Sequence, residues 1–397
     1  MKNYFFSTTL MLCGAFTFAQ SNASDVDQTG TANLSLVSQV GYMNESKVDQ
    51  DGKNNVDGGH YNAAFVDQIG KKNTADIKQA GDDNDSYVTQ RGRYNSATVD
   101  VGVGYAEGNL TTTYQRGKGN ISWQKQRFDN NEAHVDQKGR NNEARQDQNS
   151  GPNHSDGNLA IASQEGRGNY ADQYQKGSNN YAYVDQLGKR NEGFQNQNGD
   201  GNSAELVQDG EFNYSTQDQD GDENKAFVEQ DGFSNYAEQD QDGNKNKAKV
   251  DQDGSFNIAK QDQDGDRNRV KAVQVGADNY ANQNQYGNKN KALVDQMYFG
   301  NRAYQYQYGN KNEAKAYQVG DTNVALQAQF GEENVSLIDQ DGGYNLGVTL
   351  QSGYGNDSTI LQSGGLNLAG SAQFGTMHVS TITQTGVGNV AGTLQTN

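Results

Sequence analysis

Four histidines, His60, His134, His154 and His378, and one cysteine, Cys13, are among the side chains that could serve as metal ligands, bases or nucleophiles. None of the histidines sits at the spacing of a zinc motif or a catalytic triad, and Cys13 falls in an apolar N-terminal run. The sequence therefore predicts no enzyme and no cofactor. The carboxylates are better ordered. Asp218, Asp240 and Asp262 recur every 22 residues, and Asp220, Asp242 and Asp264 follow two places behind them. Stacked about 5 Å apart such carboxylates repel, and protonation or a divalent cation relieves them. These six are the candidate metal ligands. Asp218-Gln-Asp220-Gly-Asp222 resembles the start of a calcium loop but lacks its full ligand spacing and its twelfth-position Glu. The plainer reading is a gatekeeper role against premature aggregation.

The elements that would position these columns follow from a shorter metre. From Asn158 to Asn389 an asparagine returns every eleven residues, with His378 replacing one, and a glutamine lies six places behind each. The unit continues back to Asn22 through three insertions, around Lys53–Gly59, Gly102–Gly108 and Asn149–Asp156. Of 33 units, 32 keep the glutamine, and Val101 is the exception. Asn180-Tyr-Ala182-Tyr-Val184-Asp-Gln186-Leu-Gly188-Lys-Arg is a clear copy. Its fixed positions alternate by two, as a strand requires and a helix cannot supply. Gly188, Gly199, Gly210, Gly221 and Gly232 mark the bends, where other residues resist the backbone conformation. Each unit is one short strand and one tight turn.

The fifth position alternates, as in Val184, Gln195, Leu206, Gln217, Val228 and Gln239, so the working repeat is 22 residues and two strands. This predicts an all-β fold: a cross-β, amyloid-like β-solenoid whose rungs hold two eleven-residue strand-turn units each. Residues 22 apart then stack at about 4.8 Å, and identical amides bond along the stack. The expected ladder runs through Asn180, Asn191, Asn202, Asn213, Asn224 and Asn235, with Gln186, Gln197, Gln208, Gln219, Gln230 and Gln241. Burying so many amides without partners would cost more than the small aliphatics return.

With 32% hydrophobic residues and a net charge of -18, the composition alone resembles a disordered chain. A period held over hundreds of residues and a single proline, Pro152, argue against that. Lys2 and the apolar run Phe5 to Phe18 read as a secretory signal over residues 1–19, with residues 20–397 as one repeat array. The negative charge disfavours nucleic acid as a partner.

The pattern N-x-A-x-x-x-Q-x-G-x-x-N-x-A-x-x-x-Q resembles the curlin repeat of bacterial curli subunits. Gln208, Gly210, Asn213, Ser215 and Gln219 fall on the family's Gln, Gly, Asn, Ala and Gln, after Asn202 at its Ser position. The resemblance implies a secreted functional amyloid: a fibre subunit for adhesion and biofilm matrix, partnered by itself and by an export pore, a chaperone and a nucleator. Asn rather than Ser opens both strands here.

Independently, the units nearest the two ends, from Asn22 and from Asn389, carry no proline or lysine cluster, which leads us to expect open strand edges and head-to-tail growth. Lys225, Lys247, Arg269 and Lys291 should form a basic stripe. Tyr286, Tyr308 and Phe330 should form an aromatic one suited to fibril packing or to a surface or matrix polysaccharide. Fibre subunit, monomeric surface adhesin and fibre nucleator are the competing readings. An ice-binding solenoid would need a threonine ladder on every rung, whereas Thr381, Thr383 and Thr385 occur together once.

Overall fold

The computed structural model describes residues 21–51, 59–103, 106–151 and 155–397. Residues 1–19, read as an export signal, lie outside the described residues, as do the middles of the three insertions. Every described element is a strand, and the 34 strands form two sheets, a first of 18 strands and a second of 16. Apart from the two-residue strand Gly59–His60, which follows Glu45–Asp51 within the first sheet, strands consecutive in the chain go to opposite sheets. Leu159–Arg167 lies in the second, Tyr170–Lys176 in the first and Tyr181–Lys189 in the second again. Two strands and two turns make one rung, and about sixteen rungs of about 22 residues stack into a β-solenoid about 75–80 Å long.

Pairing within each sheet is parallel and in register. Ala182 pairs with Ala204, Val184 with Leu206, Gln186 with Gln208 and Gly188 with Gly210. At the insertions the register jumps but is not lost. Ladder glutamines there are separated by 29, 25 and 27 residues instead of 22. Each insertion falls between two strands and the register resumes beyond it, because a strand that slipped by one residue would expose its whole buried face.

The interior is one side-chain layer thick on each side. Positions one, three, five and seven of each unit point inward, and Asn180, Ala182, Val184 and Gln186 are all buried. From Val135 onward the fifth-position aliphatics of the second sheet meet the third-position alanines of the first. Nearer the N-terminus both fifth positions are aliphatic, as in Val48, Val66, Ile77, Val88 and Val99, and the core is drier there.

Each turn needs two residues with positive φ, and the sequence pattern shows only one. Gly188 (φ 113°) is the first, and a Cβ there would overlap the carbonyl oxygen of Gly210 one rung on. The second is the eleventh position, taken by ordinary residues such as Arg190 (φ 53°) and Phe212 (φ 61°). The first turn position meets backbone from the next rung, so glycine predominates there, with Phe128 (φ 66°) and Tyr298 (φ 81°) as departures.

Candidate functional site: amide ladders and charged columns

The glutamines form continuous ladders through the core. Gln186 Nε2 donates to Gln208 Oε1 at 2.8 Å and to the Tyr170 carbonyl across the interior at 2.9 Å. In the other sheet Gln197 donates to Gln219 (2.9 Å) and to the Tyr181 carbonyl (3.0 Å). Gln208 and Gln219 repeat the pattern onto Gln230 and Gln241. The fifth-position glutamines add a third ladder, with Gln195 on Gln217 at 2.8 Å. Each amide spends one N–H along the stack and one across it, so its burial carries no unmet donor.

The asparagines behave differently. Asn202 accepts the backbone N–H of Asn224 on Oδ1 (2.9 Å) and donates to the Gly221 carbonyl (2.7 Å). Asn180 holds the Asn202 N–H and the Gly199 carbonyl in the same way, and Asn191 the Asn213 N–H and the Gly210 carbonyl. Asn213 accepts from Asn235. One methylene shorter than glutamine, the side chain reaches its own corner rather than the middle of the interior. From Asn180 to Asn235 the asparagines are therefore corner clasps between rungs, while nearer both ends they also bond side chain to side chain, as Asn109 does to Asn84 (2.9 Å) and Asn345 to Asn323 (3.1 Å).

One ladder escaped the sequence reading. Asp200, Asp222, Asn244, Asp266, Asn288 and Asn310 stand at the tenth position every 22 residues on an outer corner. The Asp200 N–H donates to Asp222 Oδ1 (2.9 Å) and the Asp222 N–H to Asn244 Oδ1 (2.9 Å). The signal was present as a run of Asp and Asn at fixed phase. A defect also surfaces. Val101 interrupts one glutamine ladder, and Gln126 Oε1 is left buried without a partner.

On the outer face of the first sheet Asp218, Asp240 and Asp262 pair in register, as do Asp220, Asp242 and Asp264. Asn196 and Asn198 donate to Asp218 and Asp220, and the Tyr286 hydroxyl donates to Asp262 at 3.0 Å. Partial desolvation, followed by the charges of Asp218 and Asp262, pushes the Asp240 carboxyl up to about 6. Desolvation likewise raises Asp218 and Asp262. Among the described residues no three acidic, histidine or cysteine side chains are grouped as metal ligands, and the six aspartates form two in-register columns. The Lys225, Lys247, Arg269 and Lys291 stripe lies on the outer face of the second sheet, beside Lys249 and Lys271. Tyr286, Tyr308 and Phe330 stack with centroids 4.6 and 5.5 Å apart. His134 bonds Thr112 and His378 the Phe374 carbonyl, far from one another, while His154 is outside the described residues.

No curated protein matches the chain. Five segments, residues 20–52, 58–81, 156–188, 199–232 and 221–254, match the curlin associated repeat. The matched residues include the glutamines, glycines and asparagines that form the ladders and corners, and the chain is a curlin-repeat protein with a curli-like structural role.

Proposed function

We propose that the protein is exported and polymerises end to end into extracellular curli-like amyloid fibres for adhesion and biofilm matrix. The observation that carries this reading is the polarity of the ladders. Except at the Val101 break, where Gln79 turns aside, each Gln186-type amide donates toward the next rung, while each Asn224-type N–H donates back to the rung before. A rung thus offers the same bonds whether the following rung comes from its own chain or another. By the curlin resemblance, the partners are further copies of the chain and the pore, chaperone and nucleator of a curli-type system, and residues 1–19 are the export signal.

A surface adhesin, monomeric or at a fibre tip, is the second reading. It is favoured by the exposed aromatic column ending at Tyr308 and Phe330, which offers stacked ring faces to a polysaccharide.

The test starts from denatured chain without residues 1–19, incubated and followed by electron microscopy and fibre diffraction. Fibres with a reflection near 4.7–4.8 Å along the axis are expected. Persistent monomers would overturn end-to-end growth.

A further inference from the structure

The acidic and basic columns occupy opposite faces of the same stretch of solenoid, and their relative placement is set through the interior. Gln241, between Asp240 and Asp242, donates to the Lys225 carbonyl (3.2 Å). Gln239, on the other side of Asp240, donates to the Phe227 carbonyl (3.2 Å). Asp240 therefore stands back to back with Ala226, the residue between Lys225 and Phe227. Gln261 and Gln263 place Asp262 behind Ala248 in the same way, through the Lys249 and Lys247 carbonyls.

Ala226, Ala248, Val270 and Ala292 floor a groove on the second sheet. One wall is the Lys225, Lys247, Arg269 and Lys291 column, and the other carries Lys249 and Lys271. Lys225, Lys247, Arg269 and Lys271 make no ion pair among the described residues. Asp240 has none either, on a chain whose surface is otherwise acidic.

We propose that this groove receives the Asp218, Asp240 and Asp262 column of a second copy of the chain, so that solenoids associate side by side. The geometry asks for no rotation. A copy displaced along the sheet normal already carries its aspartate column over the line of the groove floor. A slide of one rung, about 4.8 Å, sets Asp218, Asp240 and Asp262 opposite Lys225, Lys247 and Arg269. Both columns share the rung spacing, so the match repeats at each level instead of drifting out of phase. The two faces differ, so the contact is heterologous. Every added copy leaves one acidic and one basic face open, and the product is a ribbon that does not close. This lateral contact uses the sides of the solenoid and is independent of end-to-end growth.

The test compares the parent chain with two charge-reversed chains. One is Lys225→Glu/Lys247→Glu/Arg269→Glu, and the other is Asp218→Lys/Asp240→Lys/Asp262→Lys. All six side chains point outward, and a strand signal in far-UV circular dichroism equal to the parent's verifies the fold. Pairing is scored by electron microscopy as particle width rather than length, so a failure of end-to-end growth does not register.

The parent should pair in about 0.02 M salt and lose at least about tenfold in pairing at about 0.5 M, where screening is strong. Each reversed chain alone should stay single, since one has two acidic faces and the other two basic ones. Their equimolar mixture should pair again. A reversed chain that pairs like the parent overturns the proposal. So does a parent that stays single at low salt, including one whose groove instead binds polygalacturonate, which would assign the groove to an acidic polysaccharide.

Discussion

Leu206 fills the space that Gly193 leaves on the facing strand: a Cβ on Gly193 would overlap Leu206 Cδ2 and lie 3.3 Å from Gln186 Nε2. The rung before has Ala171 and Val184 at these places and the rung after has Ser215 and Val228, so the pair exchanges volume without changing the width of the interior. Gly347 and Ile338 repeat the arrangement, with a Cβ on Gly347 only 2.8 Å from Ile338 Cγ2. Gly193→Ala should cost about 1–2 kcal/mol through overpacking, and Leu206→Val about 1 kcal/mol through lost volume. The double variant should cost less than the sum, measured by hydrogen exchange of the rung's amides. Strict additivity would show that the two residues do not share space.

Gln186→Ala would strand three partners at once: Gln164 Nε2, Gln208 Oε1 and the Tyr170 carbonyl. A loss of about 3–5 kcal/mol in local protection is expected, against less than about 0.5 kcal/mol for Glu205→Ala on the outer face. Equal effects from the two changes would remove the ladder from the account of stability.

The break at Val101 makes the opposite prediction. Gln79, one rung before it, turns its amide to the Asn84 carbonyl and the Ser86 hydroxyl, and Gln126, one rung beyond, keeps a bare Oε1. Val101→Gln restores an acceptor for the first and a donor for the second. Stability should rise by about 1 kcal/mol, visible as a later thermal transition of the N-terminal rungs.

Asp240 couples the acidic face to pH. Its folded carboxyl titrates near 6 while the unfolded value is 3.8, so the native state holds the proton more tightly. The associated stability is fully present below pH 3.8 and is lost as pH rises through 6. Discounted for the solvent exposure of the column, the change is on the order of 1 kcal/mol. Thermal unfolding of the parent and of Asp240→Asn between pH 4 and 7 measures it. The parent's curve should fall more steeply with pH, and parallel curves would refute the assignment.

Tyr298 stands where most turns place glycine, with φ at 81°, and the residue is 62% exposed. Tyr298→Gly should therefore relieve backbone strain and raise stability by about 1 kcal/mol, with little packing lost. A lower melting temperature for the variant would mean that the exposed ring contributes more than the backbone strain costs.

Much of this architecture was readable from single residues. Asn202 and Gln208 recurring at fixed phase specify alternation by two. The exchange of Val184 for Gln195 and back to Leu206 specifies that residues 22 apart stack. The tenth-position ladder through Asp222 and Asn244 was equally present in the letters. Exposed Asp and Asn at a turn have many other uses, so the letters alone do not single it out.

The sequence by itself determined the strands, the period and the stacking partners. Those depend only on repetition along one chain, and a slip of register would bury charges and expose the core. Only the tertiary structure decided how the two strands of a rung face each other. That facing sends the second N–H of Gln241 to the Lys225 carbonyl and matches Leu206 with Gly193. It also sets the aspartate column back to back with the floor of the basic groove. Such relations run across the interior, between residues at no common phase of the repeat, so periodicity cannot encode them. They follow from the path of the backbone around two left-handed turn residues and the thickness of one side-chain layer.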